Sequence, residues 1–227
     1  MPGEAQPKTS RASTREGLTV DSGMDPVHAL PPDLPAPVDD GACDHLPGAP
    51  VPSVRLASTR GRLVDLAEIA ERPAVLFFYP RTREPGKAAG SEWDAIPGAR
   101  GCTPQSCGFR DLHREFAALG VAVFGVSTQE TGYQSEFVER NHVPFELLSD
   151  RDLALTGALR LPTFEYPVER GGPTTLIRRM AWYVERGRIE KIWYPVFPPD
   201  RNAQMVLEWL GARGRVLTPR RGEVRTA

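Results

Sequence analysis

The chain reads as an α/β fold: a central mixed β-sheet flanked by helices, with a hairpin at its N-terminal end. Three observations predict this. Ala74–Tyr79 and Val121–Val126 are continuous apolar runs of strand length, as expected for strands buried on both faces. Strand-like runs alternate with segments of helical periodicity, the order of an α/β sandwich. Two short strand-like segments, Val54–Ala57 and Arg62–Leu66, flank Ser58-Thr59-Arg60-Gly61, a hairpin signal.

Taken in order, the hairpin is followed by the Ala74–Tyr79 strand, which Pro80 stops because proline cannot donate to a ladder. A long Gly/Pro-rich loop runs from Arg81 to Gly101. Thr103 to Leu119 reads as one helix, with Thr103 as N-cap, Pro104 at the first helical position and Gly120 ending the run. After the Val121–Val126 strand come a helix over Glu130–Asn141, a short strand over Phe145–Leu148 and a helix over Asp152–Leu159. Thr175–Val184 and Arg188–Tyr194 form a second hairpin around Arg186-Gly187, and Asn202–Leu210 closes with an amphipathic helix. That order suits a thioredoxin-like sheet.

The 227 residues suit one domain with extra material at both ends. Residues 1–45 are rich in Pro, Gly, Ser and Asp and poor in aromatic residues, so they read as a disordered or extended leader. The domain spans 46–211. The stretch 212–227 carries five arginines against Glu223 without apolar periodicity, and reads as a basic tail. A net charge of −1 gives no global field for nucleic acid or a membrane surface. No apolar run approaches the ~18 residues of a membrane span, and no apolar stretch near the N-terminus resembles a signal peptide. A cytoplasmic location is the expectation.

The cysteines are Cys43, Cys102 and Cys107. A small odd number does not suggest a secreted disulfide framework. Cys102 stands where the long loop enters a helix, where unpaired N–H groups and the helix dipole favour thiolate, the nucleophilic form. Arg100 adds positive charge nearby. Cys107 lies five residues on. In an intact helix the two Cα atoms are about 9 Å apart, beyond the ~7 Å limit for a disulfide, so bonding them requires the first turn to unwind. Gly108, a poor helix former, eases that. Two buried thiols acting as small hydrophobes remain the plain alternative. Cys43 has only Asp44 and His45 beside it, too few ligands for a specified metal site. His113 and His142 read as surface residues, and Trp182, Tyr183 and Trp193 as packing groups.

The surroundings are more specific than the spacing. Gly101-Cys102-Thr103-Pro104-Gln105-Ser106-Cys107-Gly108-Phe109-Arg110-Asp111 resembles the active-site helix of the peroxiredoxin Q group, also called bacterioferritin comigratory protein. Phe77–Pro80, Gly120–Gln129, Leu147–Asp150 and Gly187–Lys191 resemble other segments of that family in the same order, from about Leu46 to Leu210. The resemblance implies a thiol peroxidase that reduces hydrogen peroxide and organic hydroperoxides without a bound cofactor or metal. It makes Cys102 the peroxidatic cysteine and Cys107 the resolving one, joined in an intramolecular disulfide that thioredoxin or a similar dithiol reduces. It implies a monomer or weak homodimer. The family's late-strand arginine aligns best with Arg179, with Arg178 as the fallback. Neighbours on a strand face opposite sides, so only one of them reaches the site.

There is one departure. The family keeps a proline, a threonine and the peroxidatic cysteine close in sequence, whereas here Pro80 and Thr82 are separated from Cys102 by an insertion over 83–101 that contains Trp93. Pro80 shields the thiol and Thr82 bonds the peroxide only if that insertion loops out. Thr103 is another source of a hydroxyl, although it reads first as a helix cap. Two other functions suit the same fold. A thiol–disulfide oxidoreductase ordinarily uses Cys-x-x-Cys, and a metal-delivery module uses Cys-x3-Cys with a distant histidine. Neither spacing is present.

Overall fold

The computed structural model describes residues 30–83, 91–167 and 173–217. Nine strands and seven α-helices occur among them. β1 (Arg55–Ser58) and β2 (Leu63–Asp65) form the N-terminal hairpin, with Leu56 opposite Val64. β3 (Ala74–Phe78), β4 (Ala122–Ser127) and β5 (Glu146–Ser149) are parallel neighbours, while β8 (Met180–Glu185) and β9 (Arg188–Trp193) add antiparallel strands. The sheet runs β2-β1-β5-β4-β3-β8-β9, mixed as expected. A separate two-stranded sheet pairs β6 (Thr163–Glu165) with β7 (Thr175–Ile177).

β3 is central and buried along its whole length because both faces are covered. Alternation sends Leu76 and Phe78 to one core, with Leu56, Leu148 and Trp182, and Val75 and Phe77 to the other, with Phe109, Phe116 and Phe137. Each such side chain contributes about 1.5–3 kcal/mol by leaving water. The second core holds the cysteine helix: Phe77 stacks on Phe109 with ring centroids 4.4 Å apart.

The remaining helices are α1 (Leu66–Ala70), α2 (Ser91–Asp94), α3 (Cys102–Asp111), α4 (His113–Ala118), α5 (Thr131–Asn141), α6 (Ala154–Leu159) and α7 (Asn202–Leu217). A 3-10 turn, Pro199–Arg201, leads into α7. No described helix is long and apolar enough to cross a membrane.

Several expectations change. The helix expected over 103–119 is two, broken at Leu112, and it starts one residue earlier. Gly101 is its N-cap, in a left-handed conformation without a side-chain cap bond, so Thr103 does not cap it. The strand expected over 175–184 is interrupted at Arg178–Arg179, because β7 leaves to pair with β6 before β8 begins. The leader boundary at residue 45 is not a structural break. Cys43 and Leu46 are buried in one core, and the Tyr194 hydroxyl donates to Asp40 at 2.9 Å. The tail does not begin at 212, since α7 continues to Leu217. Residues 1–29 of the leader and 218–227 of the tail lie outside the described residues, as do 84–90 of the insertion. The insertion is not all loop. It forms α2, and Trp93 is buried in a small core with Ala99, Tyr166 and Leu176.

Candidate active site around Cys102

Cys102 is the first residue of α3, and the chain enters that helix through Gly101 at φ 103°. A side chain at Gly101 is excluded twice. Its conformation disfavours L residues, and a Cβ there overlaps Cγ of Pro199. At the other end of the helix a Cβ on Gly108 meets the carbonyl oxygen of Asp200 at 3.3 Å. Gly108 therefore serves close packing against the turn before α7, as well as lowering helix propensity.

Arg179 reaches the sulfur from the link between β7 and β8. It is 3 % exposed, and its Nη2 donates to Sγ of Cys102 at 3.2 Å. A buried guanidinium needs acceptors, and the end of the insertion supplies them. Nε donates to the Gly98 carbonyl at 3.1 Å, and Nη2 to those of Ala99 at 3.0 Å and Arg100 at 3.2 Å. Nη1 donates to Oε1 of Gln105, whose Nε2 donates to Oδ1 of Asn202 at 2.9 Å. Among the described residues no carboxylate pairs with Arg179, so its partners are neutral oxygens and the cysteine sulfur. Arg178 lies elsewhere, its guanidinium 5.8 Å from the ring centre of Phe164.

Thr82 joins the same site. With Arg81, Arg83, Trp93 and Arg100 it lines a narrow pocket that reaches Cys102 and Thr103. Gln129 fixes it: its Oε1 accepts the Thr82 amide at 2.8 Å and hydroxyl at 3.1 Å, and its Nε2 donates back to the Thr82 carbonyl at 3.2 Å. The Tyr133 hydroxyl donates to that carbonyl as well. Thr82 and Cys102 thus line one pocket although 19 residues stand between them in sequence. Pro80 is buried just after β3 and stands outside the pocket lining.

Cys107 is buried in the middle of α3, and burial is the largest cause pushing its thiol pKa up. Cys43, Cys102 and Cys107 are all free thiols. Cys43 packs in the opposite core from Cys102, its Sγ 4.0 Å from Sδ of Met180. Burial, reinforced by the carboxylates of Asp40, Asp39 and Asp44, pushes it up to about 12. His45 turns away to the Leu159 carbonyl, 2.9 Å from its Nε2. Among the described residues no three His, Cys, Asp or Glu side chains gather as a metal site would require.

Gln105, Gln129, Asn202 and the arginines at 81 and 83 were not expected at the site from sequence. Only Gln105 carried a usable signal: three residues after Cys102, it shares that cysteine's face of the helix.

Comparison with known proteins fits this geometry. The family model described as Redoxin matches residues 46–207. The chain belongs to the Redoxin family. Among curated relatives, this redoxin is 29% identical over 164 residues to peroxiredoxin Q, chloroplastic, of Oryza sativa subsp. japonica, covering 72% of this chain and 65% of the rice protein. The chain thus spans just under two thirds of that relative's length. It is 28% identical over 158 residues to peroxiredoxin Bcp of Bacillus subtilis, covering 69% of this chain and 90% of the relative. Among solved structures, peroxidoxin BcpB of Mycobacterium tuberculosis superposes with a TM-score of 0.58 at 25% identity, covering 74% of this redoxin and 97% of the other chain. A PrxQ from Xylella fastidiosa shares the fold at 22% identity and TM-score 0.58, covering 74% and 96% of the two chains.

Proposed function

We propose that the protein is a thiol peroxidase in which Cys102 attacks a hydroperoxide, Cys107 resolves the product and a thioredoxin-like dithiol regenerates both thiols. The observation that carries this reading is the 3.2 Å contact between Arg179 Nη2 and Cys102 Sγ at the start of α3. Membership of the Redoxin family and the named peroxiredoxin relatives support it.

The chemistry follows from the charges. The Cys102 thiolate attacks the terminal oxygen of the hydroperoxide, an S–O bond forms as the O–O bond breaks, and sulfur loses two electrons. The leaving alkoxide, or hydroxide from hydrogen peroxide, takes a proton and departs as alcohol or water. Arg179, beside the sulfur, is placed to stabilise charge as it moves onto oxygen. Thr82 lines the same pocket and its hydroxyl donates to Gln129, so the role this reading gives its oxygen is to accept the peroxide hydrogen. The product is a sulfenic acid. Cys107 attacks that sulfur, an S–S bond forms, and water leaves. For this the first turn of α3 must open, since an intact helix holds the two Cα atoms about 9 Å apart. Exchange with an external dithiol completes the cycle. No cofactor enters.

The test is a coupled assay in which thioredoxin, its reductase and NADPH report hydrogen peroxide consumption. Wild-type protein should turn over and Cys102→Ser should not. Rapid insulin reduction with a sluggish peroxide reaction would instead point to a thiol–disulfide oxidoreductase.

A further inference from the structure

We propose that Asn202 is a positioning residue for the attack of Cys102 on peroxide: it locks the Gln105 amide in the one orientation that holds the Arg179 guanidinium on the sulfur. The inference rests on the peroxidase reading above and concerns how the arginine is kept in place.

The three side chains form a chain of hydrogen bonds whose direction is set from one end. A guanidinium only donates. Arg179 Nη1 therefore needs the oxygen of the Gln105 amide, and it donates to Oε1. That orientation turns Nε2 the other way, where its acceptor is Oδ1 of Asn202 at 2.9 Å. Gln105 and Asn202 are wholly buried and Arg179 nearly so, so bulk water does not compete for these bonds. Without an acceptor at 202, nothing holds Nε2 on that side. An amide turned over would set its N–H groups against the guanidinium, donor against donor.

Asn202 carries a cost that its packing does not explain. Among the described residues its Nδ2 is buried and has no hydrogen-bond partner. An unpaired buried donor is unfavourable, and an apolar residue of similar size avoids it. What the amide does supply is the acceptor for Gln105. Its place is also well fixed. Asn202 is the first residue of α7 and directly follows the Pro199–Arg201 turn. That turn backs α3 at both ends, since Gly101 leaves room for Pro199 and Gly108 for the Asp200 carbonyl. The acceptor is thereby held against the helix that carries both Cys102 and Gln105.

The experiment follows Cys102 oxidation by hydrogen peroxide across pH, by stopped flow, in the reduced full-length chain. Asn202→Leu removes the acceptor at similar size and Asn202→Ala without added bulk, and thermal unfolding selects whichever keeps the fold. Asn202→Asp keeps an acceptor whether or not it is ionised. Loss of the acceptor should slow oxidation at neutral pH by about ten-fold or more, as a small misplacement of a catalytic group does. The pH–rate profile should also move to higher pH, because a cation displaced from a thiol favours its charged form less. Asn202→Asp should stay close to wild type. In a Gln105→Leu background, Asn202→Leu or Asn202→Ala should have little further effect, because the two residues act through one chain of contacts. A wild-type rate without the acceptor, a slower rate with an unmoved profile, an equal loss in Asn202→Asp or additive losses in the double variant each overturn the inference and leave the peroxidase reading standing. Failure of the wild-type chain to react with hydrogen peroxide overturns both.

Discussion

Arg179 Nη2 lies 3.2 Å from Cys102 Sγ although 77 residues separate them in sequence, and the same guanidinium closes onto the carbonyls of Gly98, Ala99 and Arg100. One buried cation thus fixes both the nucleophile and the loop that delivers it.

Replacing Arg179 by Gln should therefore slow the reaction of Cys102 with hydrogen peroxide by about 10²–10³-fold, the usual effect of losing a preorganised donor to developing oxyanion charge. Arg178→Gln should stay within about two-fold of wild type, because that side chain sits over Phe164 instead. Equal losses in the two variants, read by stopped-flow kinetics, would remove Arg179 from its assigned role.

Cys107→Ser should leave the first oxidation nearly unchanged and abolish turnover with thioredoxin. The buried thiol of Cys107, pushed up by desolvation, is a poor nucleophile until α3 opens, so resolution in wild type should be slower than oxidation. Two kinetic phases are expected, with the second missing in the variant. Normal thioredoxin-coupled turnover in Cys107→Ser assigns resolution to another thiol.

Gly101→Ala tests the entry to α3. It combines a left-handed conformation with an overlap against Pro199, and should cost about 3 kcal/mol or more. Thermal unfolding should fall by roughly 6–12 °C. A melting point within 2 °C of wild type (of order 0.5–1 kcal/mol at this chain size) contradicts the packing described.

Cys43 predicts a pH dependence of stability. Its folded thiol titrates at about 12 against an ordinary value of 9.0, so between these values the folded chain keeps a proton that the unfolded chain has lost. Stability falls as pH rises through that window, by about 1.4 kcal/mol per pH unit from this group, and is fully present below pH 9. Denaturant titrations under reducing conditions at pH 8, 9 and 10 should show a shallower decline for Cys43→Ala than for wild type. Parallel slopes refute the assignment.

Much of this fold was legible because its central strands announce themselves. Ala74–Tyr79 and Val121–Val126 are apolar throughout, and only burial on both faces tolerates that. The N-terminal hairpin and the terminal helix were equally plain. The site was legible only as far as resemblance reached. Cys102 and Arg179 were singled out, and they stand 3.2 Å apart, but strand alternation did not apply, since Arg178 and Arg179 fall between β7 and β8. Gln129 and Asn202 left no trace in sequence because their roles depend on contacts 47 and 97 residues away. Trp93 looked like loop because its partners Tyr166 and Leu176 arrive from distant segments. Cys43 fell within the stretch read as leader, because a polar stretch hides one inward residue and composition averages it away.

The central claim is tested most directly by peptide mass spectrometry of the reduced protein after one equivalent of hydrogen peroxide. The account predicts a Cys102–Cys107 disulfide with Cys43 still a thiol, and in Cys107→Ser a sulfenic acid trapped on Cys102. An unmodified Cys102, or oxidation falling first on Cys43, contradicts it.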